Sequence, residues 1–189
     1  MRMRKICPGC GNTRSNTYLC GRCAVNGATF DGVTWSYEYG GAVADAISAL
    51  KFRHAIEHAR GLTADCVLPA GSWDYLIPVP LHRTRLRSRG FNQSALLARC
   101  ISKHHGIAVA HQLLYRTRNT CPQRSLPESL RRRNMKRAFI ASSPEAIIGR
   151  NIVLIDDVMT TGTTLLECSK VLRAHGARRV GVWTVARRT

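Results

Sequence analysis

Residues 152–164 constrain the fold of this chain more than any other segment. The apolar run Ile152–Ile155 is typical of a buried strand of a parallel sheet, and Asp156 and Asp157 follow it directly. A short loop rich in threonine then leads into a stretch with the apolar spacing of a helix. Because ligands bind at the carboxyl ends of parallel strands in open α/β sheets, we expect a binding site at this point of the chain.

The residue types in this segment suit a phosphorylated ribose. Backbone N–H groups of the loop and of the helix N-terminus can hold a phosphate, and threonine hydroxyls add further donors. Two carboxylates would repel a phosphate at the same spot, but they can accept hydrogen bonds from a vicinal diol such as the ribose hydroxyls. The candidate ligands of the diol are Asp156 and Asp157, and the candidate phosphate-binding residues are Thr160, Thr161, Gly162, Thr163 and Thr164.

Other phosphate-binding motifs fit this segment less well. A nucleotide P-loop requires a lysine after its last glycine, and none follows Gly162. The dinucleotide fingerprint G-x-G-x-x-G does not occur in the sequence. A purely structural turn stays open as the alternative, although it leaves the cost of two carboxylates at the end of a buried strand unexplained.

The remaining segments predict strands that alternate with helices, which is the pattern of an α/β domain with a mostly parallel sheet. The predicted strands are Gly32–Tyr39, Asp74–Pro80, Ile107–Ala110, Asn151–Ile155 and Arg179–Ala186, and the predicted helices lie near Ala42–Leu50, Asn92–Gly106 and Thr163–His175. The polar and basic segment Tyr115–Arg137 is expected to form a mobile loop with one short helix. We place a small metal-binding module at residues 1–30 and the α/β domain at residues 31–189.

Four cysteines near the N-terminus have the spacing of a metal site. Cys7, Cys10, Cys20 and Cys23 form the pattern C-x2-C-x9-C-x2-C. Each C-x2-C pair lets two thiolates hold one ion from a tight turn, and two pairs supply the four sulfurs of a closed, structural zinc site. Disulfides are the alternative, but nothing else in the sequence indicates an oxidising compartment.

Residues 54–58 also fit the zinc-peptidase pattern H-x-x-E-H, which a solvated helix end explains equally well.

The charge of the chain favours a polyanionic partner. Lysine and arginine number 29 against 11 aspartate and glutamate residues, a net charge of +18, and such a field attracts nucleic acid, anionic lipid or multiply phosphorylated molecules. The arginines at every second position from Arg83 to Arg89 would project to one side of an extended backbone and contact several phosphates, whereas a helical turn would scatter them.

No apolar stretch approaches the roughly 18 residues of a membrane span, so we expect a soluble cytoplasmic protein.

Three motifs and the cysteine pattern resemble, in order along the chain, those of the ComF family, which includes GntX-like proteins. Val153–Thr164 is similar to the phosphoribosyl-pyrophosphate motif of type I phosphoribosyltransferases, and Pro78–Arg83 with Arg89–Gln93 resembles a segment specific to the ComF family. The four-cysteine segment is similar to the zinc finger of that family. A third stretch follows the family pattern Q-x-x-L…R-x-x-N…A-F through Gln123, Leu126, Arg131, Asn134, Ala138 and Phe139. Leu130 departs from the family, which usually has an acidic residue there.

The resemblance implies a type I phosphoribosyltransferase-like fold that binds phosphoribosyl pyrophosphate with magnesium. It assigns the ribose hydroxyls to Asp156 and Asp157, the 5-phosphate to residues 160–164, and the pyrophosphate to a loop formed by Leu81, His82 and Arg83. It also implies a role in DNA uptake or in the use of external DNA, with a competence helicase or recombination-mediator protein as partner. Single-stranded DNA is the partner that the net charge and the arginines of residues 83–89 favour.

Three functions stay open at this point. The chain could be a phosphoribosyltransferase, a non-catalytic protein that binds single-stranded nucleic acid and retains the fold, or a regulator that senses phosphoribosyl pyrophosphate. The acidic pair and the threonine loop favour ligand binding, whereas the net charge of +18 favours nucleic acid.

Overall fold

The computed structural model describes residues 6, 7, 9–11, 19–53, 55–119 and 137–188. The helices are α1 Gly21–Asn26, α2 Gly41–Phe52, α3 His58–Thr63, α4 Arg83–Arg89, α5 Gln93–His105 and α6 Thr163–Ala174. The strands are β1 Val33–Glu38, β2 Tyr75–Pro78, β3 Ala108–Val109, β4 Leu114–Arg116, β5 Phe139–Ala141, β6 Asn151–Met159 and β7 Arg179–Arg187. A 3-10 turn at Pro144–Ala146 precedes β6.

Five of these strands form one parallel sheet in the order β1-β7-β6-β2-β3. β6 and β7 pair along their full length, from Asn151 opposite Arg179 to Met159 opposite Arg187. Because all five strands run the same way, their carboxyl ends meet at one edge of the sheet. The predicted α/β class with a mostly parallel sheet is confirmed.

Neighbouring residues of β6 point to opposite faces of the sheet, as the two-residue period of a strand requires. Ile152 and Leu154 pack into one cluster with α6, whereas Val153 and Ile155 pack into a second cluster with α2, α3 and α5. The helical members of the two clusters include Leu165 and Leu172 on the first face and Ile47, Leu50, Leu62, Leu97 and Ile101 on the second. Residues 152–155 of β6 are therefore continuously apolar because this part of the strand is covered on both faces. No helix in the described ranges has the length and apolarity to cross a membrane.

The interpretation of Tyr115–Arg137 as a loop is wrong at its start. Tyr115 and Arg116 belong to β4, which pairs antiparallel with β5 in a separate two-stranded sheet. Arg116 pairs with Phe139. Each strand has only three residues, which is too short for an alternating apolar pattern to be recognised from sequence. Residues 120–136, which include the short helix predicted there and most of the Q-x-x-L…R-x-x-N stretch, lie outside the described residues.

Of the two arrangements left open for these four arginines, the structure has the helical one, since residues 83–89 form the helix α4. His82 caps this helix with its Nδ1, which accepts a hydrogen bond from the N–H of Thr84 at 3.3 Å. Residues two apart on a helix point in different directions, whereas residues four apart share a face. The arginines are thus divided into two pairs, with Arg85 and Arg89 on one face and Arg83 and Arg87 on another.

Truncating a buried side chain of β6 should destabilise the protein, and an identical change at an exposed position should not. Ile152 is fully buried, whereas Ile148 is 63% exposed. We expect Ile152→Ala to lower the free energy of unfolding by about 2–5 kcal/mol, because it removes apolar contact and leaves a cavity. Ile148→Ala should change that free energy by less than about 0.5 kcal/mol. Urea denaturation of both variants measures the difference, and equal losses would contradict this assignment of the core.

Candidate functional site

A cavity of about 350 Å³ lies at the carboxyl edge of the sheet, where β2 and β6 end. Its lining includes both predicted carboxylates together with side chains from helices and strands that are far apart in sequence. The lining residues with polar or charged groups include Lys51, Arg85, Arg89, Ser94, Arg116, Asp156, Asp157, Thr160, Thr164 and Arg188. The structure therefore brings the acidic pair and part of the threonine loop into one site.

Asp157 is held by an ion pair with Lys51. Lys51 lies in the last turn of α2, and its Nζ contacts Oδ2 of Asp157. The side chains are only 12% and 6% exposed, respectively. Since a buried carboxylate without a cation is strongly destabilising, the ion pair with Lys51 offsets the cost of placing Asp157 in the wall of the cavity.

Asp156 has a different environment. Its Oδ1 accepts hydrogen bonds from the hydroxyl of Ser94 at 3.0 Å and from the backbone N–H of Asp157 at 2.9 Å. Burial, and next the charge of Asp157, raise the pKa of Asp156 to about 7, while Lys51 and the two hydrogen bonds act in the opposite direction. Asp156 therefore changes between its neutral and ionised forms near neutral pH.

The loop after β6 turns through Gly162. Its φ of +71° lies in the left-handed region, which favours glycine. A Cβ at this position would lie 2.7 Å from Cε of Met159, the flexible end of that side chain, so the backbone angle is the main reason for glycine here. The carbonyl of Gly162 accepts a hydrogen bond from the N–H of Leu166 at 2.8 Å, which begins the bonding pattern of α6. The turn thus directs the N-terminus of α6 toward the site.

The four threonines of this loop lie on both sides of Gly162. Thr160 and Thr164 line the main cavity, and both also line a small adjoining cavity of about 20 Å³, together with Gly162 and Thr163. The hydroxyls of Thr161 and Thr163 are 2.9 Å apart and share a hydrogen bond. The first N–H groups of a helix have no partner within the helix, so the start of α6 offers donors to an anion beside these hydroxyls.

The segment predicted to bind pyrophosphate lies at the same edge of the sheet, and its three residues differ in position. Leu81 lines the cavity, His82 caps α4, and Arg83 is exposed and does not line the cavity. Arg85 and Arg89 line it instead. These two arginines are four residues apart, which places their side chains on one face of a helix. That spacing could have identified them from sequence if the segment had been interpreted as a helix.

Three further cations of the cavity wall were not among the predicted site residues. Lys51, Arg116 and Arg188 come from α2, β4 and the residue after β7, and none belongs to a recognised motif. Arg116 is 9% exposed; burial, and next the positive charge of Arg85, lower its pKa to about 10. With Arg85 and Arg89, five cationic side chains line a cavity that contains two carboxylates. The cavity is therefore suited to a ligand with several negative charges.

The four predicted metal ligands lie together. The Sγ atoms of Cys7, Cys10, Cys20 and Cys23 are all within 4.8 Å of one another, and Cys7, Cys10 and Cys23 are buried. The N–H of Cys20 donates to Sγ of Cys7 at 3.2 Å, and the N–H of Cys23 donates to Sγ of Cys20 at 3.4 Å. The bond from Cys23 is the main cause that lowers the pKa of Cys20 to about 6. Four such sulfurs can hold one tetrahedral metal ion and fit zinc.

The H-x-x-E-H pattern has no comparable support. His54 lies outside the described residues, and Glu57 and His58 are exposed. Within the described ranges, the cysteine cluster is the one group of three or more side chains placed to share a metal ion.

The raised pKa of Asp156 predicts that stability depends on pH. The folded protein keeps this proton up to about pH 7, whereas the unfolded chain releases it near pH 4. The unfolded state thus binds fewer protons in this window, so the contribution of Asp156 is fully present below about pH 4 and is lost as the pH rises to about 7. We expect Asp156→Asn to remove this decline, and Asp45→Asn, at an exposed position of α2, to retain it. Denaturation at pH 5 and pH 8 checks the difference; an unchanged slope in Asp156→Asn would contradict it.

Comparison with known proteins identifies a matching domain family and related proteins. Residues 107–189, which include β6, the threonine loop and α6, match the phosphoribosyl transferase domain family. The structure also resembles glutamine phosphoribosylpyrophosphate amidotransferase from Bacillus subtilis complexed with ADP and GMP, with a TM-score of 0.44 and 22% identity over 67% of this chain and 25% of that chain.

Two curated relatives extend the match beyond this domain. The chain is 34% identical to DNA utilization protein YhgH of Escherichia coli O157:H7, over 97% of this chain and 85% of that protein. It is 42% identical to competence protein F of Haemophilus influenzae, over 59% of this chain and 49% of that protein. With a type I phosphoribosyltransferase-like fold, a four-cysteine cluster and these relatives, the chain belongs to the ComF family.

Proposed function

We propose that the cavity binds phosphoribosyl pyrophosphate, and that the protein acts in the uptake or use of external DNA. One observation carries the ligand: the acidic pair Asp156 and Asp157 and an anion-binding threonine loop open onto the same cavity. A ribose 5-phosphate carries both a diol and a phosphate. The DNA-related role is supported by the names of the relatives, a DNA utilization protein and a competence protein.

Each part of the ligand has a matching group in the site. The carboxylates would accept hydrogen bonds from the ribose hydroxyls, and the loop 160–164 would hold the 5-phosphate at the start of α6. The pyrophosphate would lie at the turn of Leu81 and His82, beside the guanidinium groups of Arg85 and Arg89. Arg83 is exposed, so in this proposal the charge of the pyrophosphate is met by the other two arginines.

Magnesium fits the chemistry of this site, because carboxylate oxygens are ligands that it prefers. Asp156 and Asp157 are the residues that would hold it, and when bound it supplies neutralisation of the pyrophosphate charge. The protein's own contribution is positional and electrostatic: Lys51 fixes Asp157, Ser94 fixes Asp156, and the cations of the wall stabilise the negative charge of the bound pyrophosphate.

The other parts of the proposal come from the family and from the sequence. They are zinc as the metal of the four cysteines, a module at residues 1–30 joined to a domain at 31–189, and a cytoplasmic location. A competence helicase or recombination-mediator protein is the proposed macromolecular partner.

Calorimetric titration of phosphoribosyl pyrophosphate with magnesium tests the ligand. We expect a micromolar dissociation constant, about −8 kcal/mol, that persists at high salt. Asp157→Asn should weaken binding by roughly 10- to 100-fold, because it removes a charged acceptor worth about 1.5–3 kcal/mol. Asp45→Asn is the matched control and should bind normally.

Two results would contradict the proposed ligand. One is binding that salt abolishes and that Asp157→Asn retains, since this describes general attraction to a basic surface. The other is inorganic pyrophosphate binding as tightly as the full ligand, since the ribose and its phosphate would then make no contribution.

Single-strand nucleic acid is a second candidate ligand, favoured by a separate observation. Arg83 and Arg87 are exposed on a face of α4 that does not line the cavity, in a chain with a net charge of +18. We expect the double change Arg83→Gln and Arg87→Gln to weaken oligo-dT binding and to reduce the slope of log affinity against log salt by about 1.4, since each lost phosphate contact contributes about 0.7. Fluorescence anisotropy measures this. If only the double change Arg85→Gln and Arg89→Gln weakened binding and reduced the salt slope in this way, the nucleic acid would lie in the cavity instead.

A further inference from the structure

The last residue of β7 lies against the cysteine cluster. Arg187 is 5% exposed, and its guanidinium stacks over the ring of Trp35 at 5.3 Å from the centroid. Its Nη1 lies 3.1 Å from the point that a Cβ on Gly11 would occupy. Gly11 follows Cys10 and donates its N–H to the carbonyl of Cys7 at 2.7 Å, so it belongs to the first cysteine turn. A buried cation is therefore packed against one of the two metal-binding turns.

Backbone hydrogen bonds on both sides of Arg187 fix its position. Its carbonyl accepts from the N–H of Tyr39 at 2.8 Å, and the N–H of Arg188 donates to the carbonyl of Met159 at 3.0 Å. In the sheet Arg187 pairs with Met159 on one side and with Glu38 on the other. The sheet thus fixes the backbone of Arg187, and the ring of Trp35 lies against its guanidinium.

The charge of the four-cysteine metal centre explains why a cation lies beside it. Four thiolates around a divalent ion carry a net charge of −2, and at least three of the four cysteines are buried. A buried charge of this size is costly unless an opposite charge lies nearby. Burial lowers the pKa of Arg187, and the negative charges of Cys10 and Glu38 oppose that lowering, so the arginine already interacts electrostatically with the cluster.

We propose that Arg187 supplies the counter-charge of the metal–thiolate centre and so sets how tightly the four cysteines hold their metal. Groups outside the ligand set commonly have this effect, and their removal weakens metal affinity by roughly 10- to 100-fold. The inference rests on the proposed metal centre, and metal binding by the unchanged protein tests that centre separately.

A packing role is the alternative, because the side chain also covers Trp35. The two roles predict different orders among substitutions. If charge matters, Arg187→Lys retains most of the affinity and the neutral Arg187→Met loses it. If packing matters, the apolar methionine serves at least as well as the strongly hydrated lysine.

The experiment is a titration of the full-length, metal-free protein with Co²⁺, whose visible absorption in a four-thiolate site reports binding, followed by competition with Zn²⁺. We expect Arg187→Met and Arg187→Gln to weaken both metals by roughly 10- to 100-fold and Arg187→Lys by no more than about threefold. Arg179→Gln is the matched control, because Arg179 is at the other end of β7, stacks on Trp73 at 4.7 Å and lies apart from the cysteines. Its metal affinity should not change.

Each other outcome overturns the proposal. Normal affinity in the neutral variants means that the centre needs no counter-charge from this residue. Equal losses in the lysine and methionine variants, or failure of all Arg187 variants to give the circular dichroism of the folded protein with metal present, mean that the shape of the arginine matters and its charge does not. Absence of cobalt binding in the unchanged protein removes the metal centre itself, whatever the variants do.

Discussion

Two carboxylates at the end of an apolar strand need compensating groups, and those groups come from distant parts of the chain. Lys51 near the end of α2 pairs with Asp157, and Ser94 near the start of α5 donates to Asp156. Both helices pack on the same face of the sheet. A shift of either helix by one turn, about 5.4 Å, would leave a carboxylate without its partner. The acidic pair thus fixes the position of α2 and α5 as well as the chemistry of the cavity.

The parts of the site that follow one another in the chain could be predicted from sequence. The strand, the two carboxylates and the threonine loop are contiguous, so their order alone places them at the carboxyl edge of the sheet. The cysteine pairs were equally accessible, since a C-x2-C turn contains its own two ligands. The burial of residues 152–155 on both faces of the sheet also follows from sequence, because this run has no polar positions between its apolar ones.

The cations of the cavity wall could not be predicted in this way. Lys51, Arg116 and Arg188 stand in no common motif, and only the packing of α2, β4 and β7 around the end of β6 brings them together. The arrangement of the arginines of α4 could not be predicted for a different reason. This segment alternates arginine with other residues and contains a single leucine, so it has no apolar period that distinguishes a helix from a strand. The directions of the arginine side chains therefore depended on the helix caps at His82 and Gly90.

The position of β7 also affects how the protein can be made. β1 joins the sheet only through β7, so within the described sheet it has no strand partner until residues 179–187 have been synthesised. The 140 residues from 39 to 178 are made first, which takes on the order of ten seconds at typical rates of translation. During that interval the edge of β1 is open to pairing with other chains. Translation of this protein therefore includes a period in which its first strand has no partner within its own sheet.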